Sequence, residues 1–135
     1  MQPIHRILET VLYAADLDAA ERFYGGLLGL EVESRKPGLF VFFRCGDGML
    51  LIFDADAAAA GRSVPAHGAR GPGHACLAVA EADLEPWRRH LESAGVVIEQ
   101  EQEWPRGGRS FYFRDPAGNS LELATPRIWG FDDPA

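Results

Sequence analysis

Cysteine, positive charge and long apolar runs are all scarce in this chain of 135 residues. Cys45 and Cys76 are its two cysteines, without CxxC spacing. They make no disulfide framework, so reduced thiols and a cytoplasmic protein are expected. Thirteen Lys and Arg face twenty Asp and Glu, a formal net charge of −7. That balance argues against nucleic acid and against an anionic membrane surface as partners. No apolar run approaches the roughly 18 residues of a membrane span, and the opening Met1–Arg6 lacks the apolar core of a secretion signal. At 47% hydrophobic and 24% charged, the remaining composition is that of an ordinary globular protein. The length suits one compact unit or two fused half-domains, and neither half buries a comfortable core alone.

What the chain does have is a repeat. Ile7-Leu8-Glu9-Thr10-Val11-Leu12-Tyr13-Ala14 precedes a helical stretch opened by Asp16-Leu17 and closed at Leu28-Gly29-Leu30. About 65 residues further on, His74-Ala75-Cys76-Leu77-Ala78-Val79 precedes a second helical stretch, from Ala82-Asp83-Leu84 to Ala94-Gly95-Val96. The first copy ends on Gly48-Met49-Leu50-Leu51-Ile52-Phe53 and the second on Gly118-Asn119-Ser120-Leu121-Glu122-Leu123.

Alternation and helical spacing predict strands near 7–14, 31–36, 39–45 and 48–54, with a helix capped by Asp16 and stopped by Gly29. The second copy repeats the order, with a strand at 74–80, a helix at 82–94 and strands at 96–102, 109–114 and 119–124. Asp115-Pro116-Ala117-Gly118-Asn119 is a turn signal. The expected class is therefore α+β, two tandem βαβββ modules whose mixed sheets curl into a cup with helices on the outer face. Module one covers about 5–54, a Gly- and Pro-rich linker about 55–72, module two about 73–126 and an apolar tail 127–135. The tail is expected to dock on something, a partner subunit being one option.

Superposing the two copies sets Glu9 opposite His74 and Ile52 opposite Glu122. A buried carboxylate is costly unless it is paired, hydrogen-bonded or metal-bound. Two carboxylates and an imidazole with no lysine nearby suit one divalent cation: Mg, Mn, Fe, Co, Ni or Zn. Glu9, His74 and Glu122 are accordingly the candidate ligands, and apolar Ile52 in the fourth place leaves the site open for substrate. His67 in the linker and Asp54 are minor candidate ligands, Cys76 shares the face of His74, and His5 and His90 read as surface residues. Tyr112 and Arg114 alternate with Phe111 and Phe113, which turns the first pair toward the cavity. Arg109, next to Arg106 and Trp104, suits an anion. With Tyr13 and Ile52 these complete the expected substrate contacts: Arg109, Tyr112, Arg114, Tyr13, Ile52 and Trp104.

From Ile7 to about Pro126 the chain resembles the vicinal oxygen chelate superfamily, which includes glyoxalase I, extradiol dioxygenases, fosfomycin-resistance enzymes and bleomycin-resistance proteins. The resemblance is carried by Asp16-Leu17 through Phe23-Tyr24 to Leu28-Gly29-Leu30, by Gly73-His74 and above all by Phe113-Arg114-Asp115-Pro116-Ala117-Gly118-Asn119-Ser120-Leu121-Glu122-Leu123. It implies paired modules around one divalent metal, a homodimer, and a small-molecule substrate held through two vicinal oxygens. On that resemblance Glu122 or Glu9 is the general base. A glyoxalase-like lyase or isomerase is the expected function, with a non-heme iron dioxygenase and a non-catalytic drug-binding resistance protein as alternatives. A metal-stabilised scaffold or regulatory module is a further one.

Overall fold

The computed structural model describes residues 1–134. It divides into two compact units, Met1–Gly71 and Pro72–Ala135. In the first, β1 (Glu9–Tyr13) leads to α1 (Leu17–Ala20), a π-helical stretch (Glu21–Leu27), then β2 (Glu31–Lys36), β3 (Phe40–Cys45), β4 (Gly48–Phe53) and α2 (Ala55–Ala59). The second carries β5 (His74–Ala78), α3 (Glu81–Ser93), β6 (Gln100–Glu103), β7 (Arg109–Arg114), β8 (Ser120–Ala124) and a 3-10 turn (Pro126–Trp129). Each unit holds one four-stranded mixed sheet, ordered β1-β4-β3-β2 and β5-β8-β7-β6. In both, the first and last strands pair in parallel and the remaining pairs are antiparallel. The α+β class and the repeated βαβββ order are as the sequence predicts.

The first helix departs from the expected regular α-helix. Asp16 caps it as anticipated, accepting the Ala19 N–H at 2.9 Å. Past Ala20 the bonding widens, and the Leu28 N–H reaches the Phe23 carbonyl five residues back, at 2.9 Å. Gly25 and Gly26 weaken the preference for tight α-turns at that point. A Cβ on Gly25 would lie 3.5 Å from the Phe43 ring, so the glycine also lets the helix approach the sheet. Adjacent Phe23 and Tyr24 are consequently both buried, their rings edge to face at 5.3 Å. They share the core with Leu12, Val41, Phe43, Leu50 and Ile52.

In the second unit α3 packs against β7, burying Leu84 and Leu91 with Phe111, Phe113, Leu121 and Leu123. Strand β6 begins at Gln100 rather than 96, leaving Val97 exposed. The tail turns back on its own unit: Arg106 donates to the Trp129 carbonyl at 3.0 Å and the Phe131 N–H to the Pro126 carbonyl at 3.2 Å. Trp129 and Phe131 remain exposed. Among the described residues, no helix is long and apolar enough to cross a membrane.

Candidate functional site

The parallel pair β5–β8 brings His74 and Glu122 together. His74 pairs with Ser120 and Cys76 with Glu122, so all four side chains project from one face. His74 Nε2 lies 3.6 Å from Glu122 Oε1, the histidine half exposed and the glutamate side chain 7% exposed. The other His74 nitrogen, Nδ1, is 2.9 Å from the Ser120 carbonyl oxygen. A carbonyl only accepts, so Nδ1 carries the proton, and in the neutral ring Nε2 turns a lone pair toward the carboxylate. Glu122 Oε2 is buried without a hydrogen-bond partner. A lone pair facing a carboxylate, beside an orphaned buried oxygen, is an arrangement that a cation would satisfy.

Around this pair stand three polar groups. Tyr112 is the cross-strand neighbour of Glu122, and its ring stacks at 6.2 Å on that of His74. Burial and then a hydrogen bond to Glu122 raise the Tyr112 hydroxyl above its usual range. Cys76 is open to solvent on one side and crowded by the sheet on the other. That crowding first, then the Glu122 charge, pushes its thiol up to about 12. Buried Ser110 accepts the Trp104 indole N–H at 2.9 Å.

The turn before β8 supplies the support. Asp115 Oδ1 accepts the backbone N–H groups of Ala117 and Asn119 at 3.0 and 2.8 Å, and its Oδ2 accepts the Asn119 amide at 2.8 Å. Asn119 Oδ1 in turn accepts the Gly73 N–H at 2.8 Å, holding the chain immediately before His74. The sequence shows this segment as a turn; only the structure shows that its side chains tie β8 to β5.

Several expected contacts lie elsewhere. Ile52 is wholly buried. Its partner Leu12 puts it in the row on the opposite face from Glu9, which pairs with Met49. The true counterpart of Glu122 is Leu51: Phe42 pairs with Leu51 as Tyr112 pairs with Glu122. Five residues, 115–119, separate the pair Arg114–Ser120, but only four, 45–48, separate Arg44–Met49. Matching the glycines of the two turns therefore slipped the register by one and reversed the face. Ile52→Ala is expected to cost about 2–4 kcal/mol of stability and to leave metal uptake unchanged, which urea unfolding and elemental analysis would check.

Arg109 shares its strand face with Phe111 and Phe113, away from Glu122, and binds Glu81 at 2.9 Å. Arg114 is held by Glu99 at 2.8 Å and by the Gly118 carbonyl at 3.0 Å. Both guanidiniums are thus ion-paired at the surface. Trp104 is tied to Ser110 through its only polar atom. In the first unit, Tyr13 Oη meets His67 Nδ1 at 2.6 Å, and His67 also packs on Phe53. Asp54 caps α2 by accepting the Ala57 N–H at 2.8 Å, a structural role. Glu9 is exposed at the start of β1. Among the described residues, no three His, Cys, Asp or Glu side chains are drawn into one cluster.

A family model described as Glyoxalase/Bleomycin resistance protein/Dioxygenase superfamily matches residues 6–123. The chain belongs to this superfamily. It is 37% identical over 114 residues to a glutathione transferase FosA from Serratia marcescens, covering 83% of this chain and 74% of that protein. A crystal structure of lactoylglutathione lyase from Agrobacterium tumefaciens superposes with a TM-score of 0.92 at 43% identity, covering 96% of this chain and all of the other. A superfamily member from Nocardioides, at 24% identity and a TM-score of 0.72, covers 93% of this chain and 85% of its own and supports the fold alone. Superfamily membership gives the Asp115–Asn119 turn its context: the stretch that carried the resemblance is the one that anchors β5 beside β8.

Proposed function

We propose that this superfamily member is a divalent-metal-dependent enzyme of the glyoxalase type, a lyase or isomerase acting on a small substrate with two vicinal oxygens. Its lyase and transferase relatives are enzymes, and so is this chain. The observation that carries the metal reading is the buried, unpartnered Oε2 of Glu122 next to the Nε2 lone pair of His74. His74 and Glu122 would hold the ion, and Glu9 is the proposed third ligand, on donor chemistry and kinship. A bound divalent cation supplies Lewis acidity to the substrate oxygens.

The residues in place account for the rest. The Ser120 carbonyl orients His74. Glu122, or Glu9 in its place, accepts a proton from a substrate carbon and returns it, as a general base. Tyr112 stands across from Glu122 on the neighbouring strand, which leaves the phenol beside whatever substrate oxygen lies there. The lyase relative and the transferase relative both carry glutathione in their names. A thiol adduct of glutathione is therefore the substrate class to try first. Homodimerisation and a cytoplasmic location belong to the same proposal.

The test is metal-stripped protein reloaded with Mg, Mn, Fe, Co, Ni or Zn and offered glutathione hemithioacetals, with ion content measured in parallel. One equivalent of metal per chain with metal-dependent turnover supports the reading. Full occupancy with oxygen consumption on a catechol would move the assignment to a dioxygenase, and no uptake of any ion would remove the catalytic metal altogether.

A further inference from the structure

We propose that a cleft in the second unit, framed by Arg106, Arg127 and Phe131, binds a planar aromatic anion, with a nucleoside monophosphate as the class it fits. The cleft has a volume of about 690 Å³, within the usual span of small-molecule sites. It shares no residue with the His74–Glu122 pair, and the proposal does not rest on the metal reading.

Most of the charges in the cleft are already committed to one another. Arg109 is ion-paired with Glu81 at 2.9 Å. Asp133 accepts the Glu81 backbone N–H at 3.1 Å, at the start of α3, where Ala80 has no side-chain acceptor to offer. Arg106 and Arg127 are different. Among the described residues neither makes an ion pair, and Asp132 is the one carboxylate of the cleft left to face them both. The pair therefore carries an excess of positive charge in a chain whose net charge is −7. Arg106 uses one N–H on the Trp129 carbonyl at 3.0 Å, and a guanidinium has others to give. A carboxylate is satisfied by a single arginine fork, whereas the oxygens of a phosphate suit two guanidiniums at once.

Glycine sets both arginines in place. Gly107 has φ of 100°, and a Cβ there would lie 2.8 Å from Arg127 Nε. Gly130 has φ of 78°, and a Cβ there would lie 3.6 Å from Arg106 Cδ and Nη1. Each arginine thus rests against the glycine of the other's segment, and both line one cleft. The tail adds an aromatic wall. Phe131 lines the same cleft and is 69% exposed, and Trp129, two residues before it, is 67% exposed. An aromatic ring left open beside unpaired guanidiniums suits a ligand that is flat on one part and negative on another.

Calorimetric titration of adenosine monophosphate into the full-length protein, in EDTA, reads the site. Wild type should bind it to saturation. Adenosine and inorganic phosphate, each carrying one part of the ligand, should bind on the order of ten-fold more weakly. Arg106→Gln and Arg127→Gln should each weaken the nucleotide on the order of ten-fold. Phe131→Leu should weaken the nucleotide by a similar factor and leave inorganic phosphate unchanged. No saturable binding overturns the proposal, as does wild-type affinity in both arginine variants. Inorganic phosphate binding as tightly as the nucleotide also overturns it, since the ring would then contribute nothing. With EDTA present throughout, each outcome is independent of whether the protein takes up a metal.

Discussion

Glu122→Leu should lose metal and gain stability in the same protein. Leucine is the residue that the first unit carries at the matching position, Leu51, where it packs with Phe53 and Ala58. Placed at 122, it removes a carboxylate whose Oε2 is buried without a partner. Burying a charged or polar group without full compensation costs free energy, and apolar replacements of similar volume are often neutral or stabilising by about 1–4 kcal/mol. Tyr112 and Cys76 lose an acceptor, but Tyr112 is only half buried and Cys76 is exposed, so water can replace it. In EDTA, urea unfolding is therefore expected to show the variant more stable by about 1–2 kcal/mol. With metal supplied, the order reverses: wild type is stabilised by binding, and the variant, lacking a direct ligand, should bind more than about 100-fold more weakly, beyond the range for loss of a supporting partner. A variant less stable than wild type in EDTA would mean that the carboxylate is a structural acceptor, and would sink the metal reading of that oxygen.

Asp115→Ala carries the second large effect, in the opposite direction for stability. Three donors lose their acceptor at once: the Ala117 and Asn119 backbone N–H groups and the Asn119 amide. Each buried donor left unmatched costs about 1–3 kcal/mol, and partial access to water at Ala117 brings the expected total to about 3–4 kcal/mol. The damage also reaches the candidate site. Released from Asp115, Asn119 no longer holds the Gly73 N–H, and His74 loses the fixed strand start beside it. Metal affinity measured well below the melting temperature should fall on the order of ten-fold. Asp47, in the corresponding turn of the first unit, is exposed, and Asp47→Ala is expected to change stability by no more than about 0.5 kcal/mol. Equal effects at the two turns would refute the assigned role.

Much of this could be read from sequence because the governing signals are local. Alternation placed β2 and β7 to the residue, and Asp16 and Gly29 marked the first helix at both ends. The Phe-rich alternation of β7 set Tyr112 on the face opposite buried Phe111 and Phe113, beside Glu122. What escaped depends on geometry between distant residues. The counterpart of Glu122 depends on a turn one residue longer in the second copy, which only strand pairing reveals. Arg109 and Arg114 carry no sequence mark of the acidic partners, Glu81 and Glu99, that occupy them. The π-helical widening had a signal in Gly25-Gly26, but helix propensity ranks residues without describing how a helix deforms. Asn119 could be read as a turn residue and not as the tether of another strand, since its partner Gly73 lies 46 positions away.

The orientation of His74 has an unusual hereditary basis. Its ring is held by the Ser120 carbonyl, and every amino acid has a carbonyl. No substitution at position 120 removes the chemical group that sets the ring, since even proline keeps its carbonyl. Insertions and deletions act differently. Adding or losing one residue between 115 and 119 would slide β8 past β5, offer His74 a different carbonyl and send Glu122 to the other face of the sheet. The length of that turn therefore sets the aim of the imidazole and the face of Glu122 together, while its Asp115 and Asn119 side chains hold it shut.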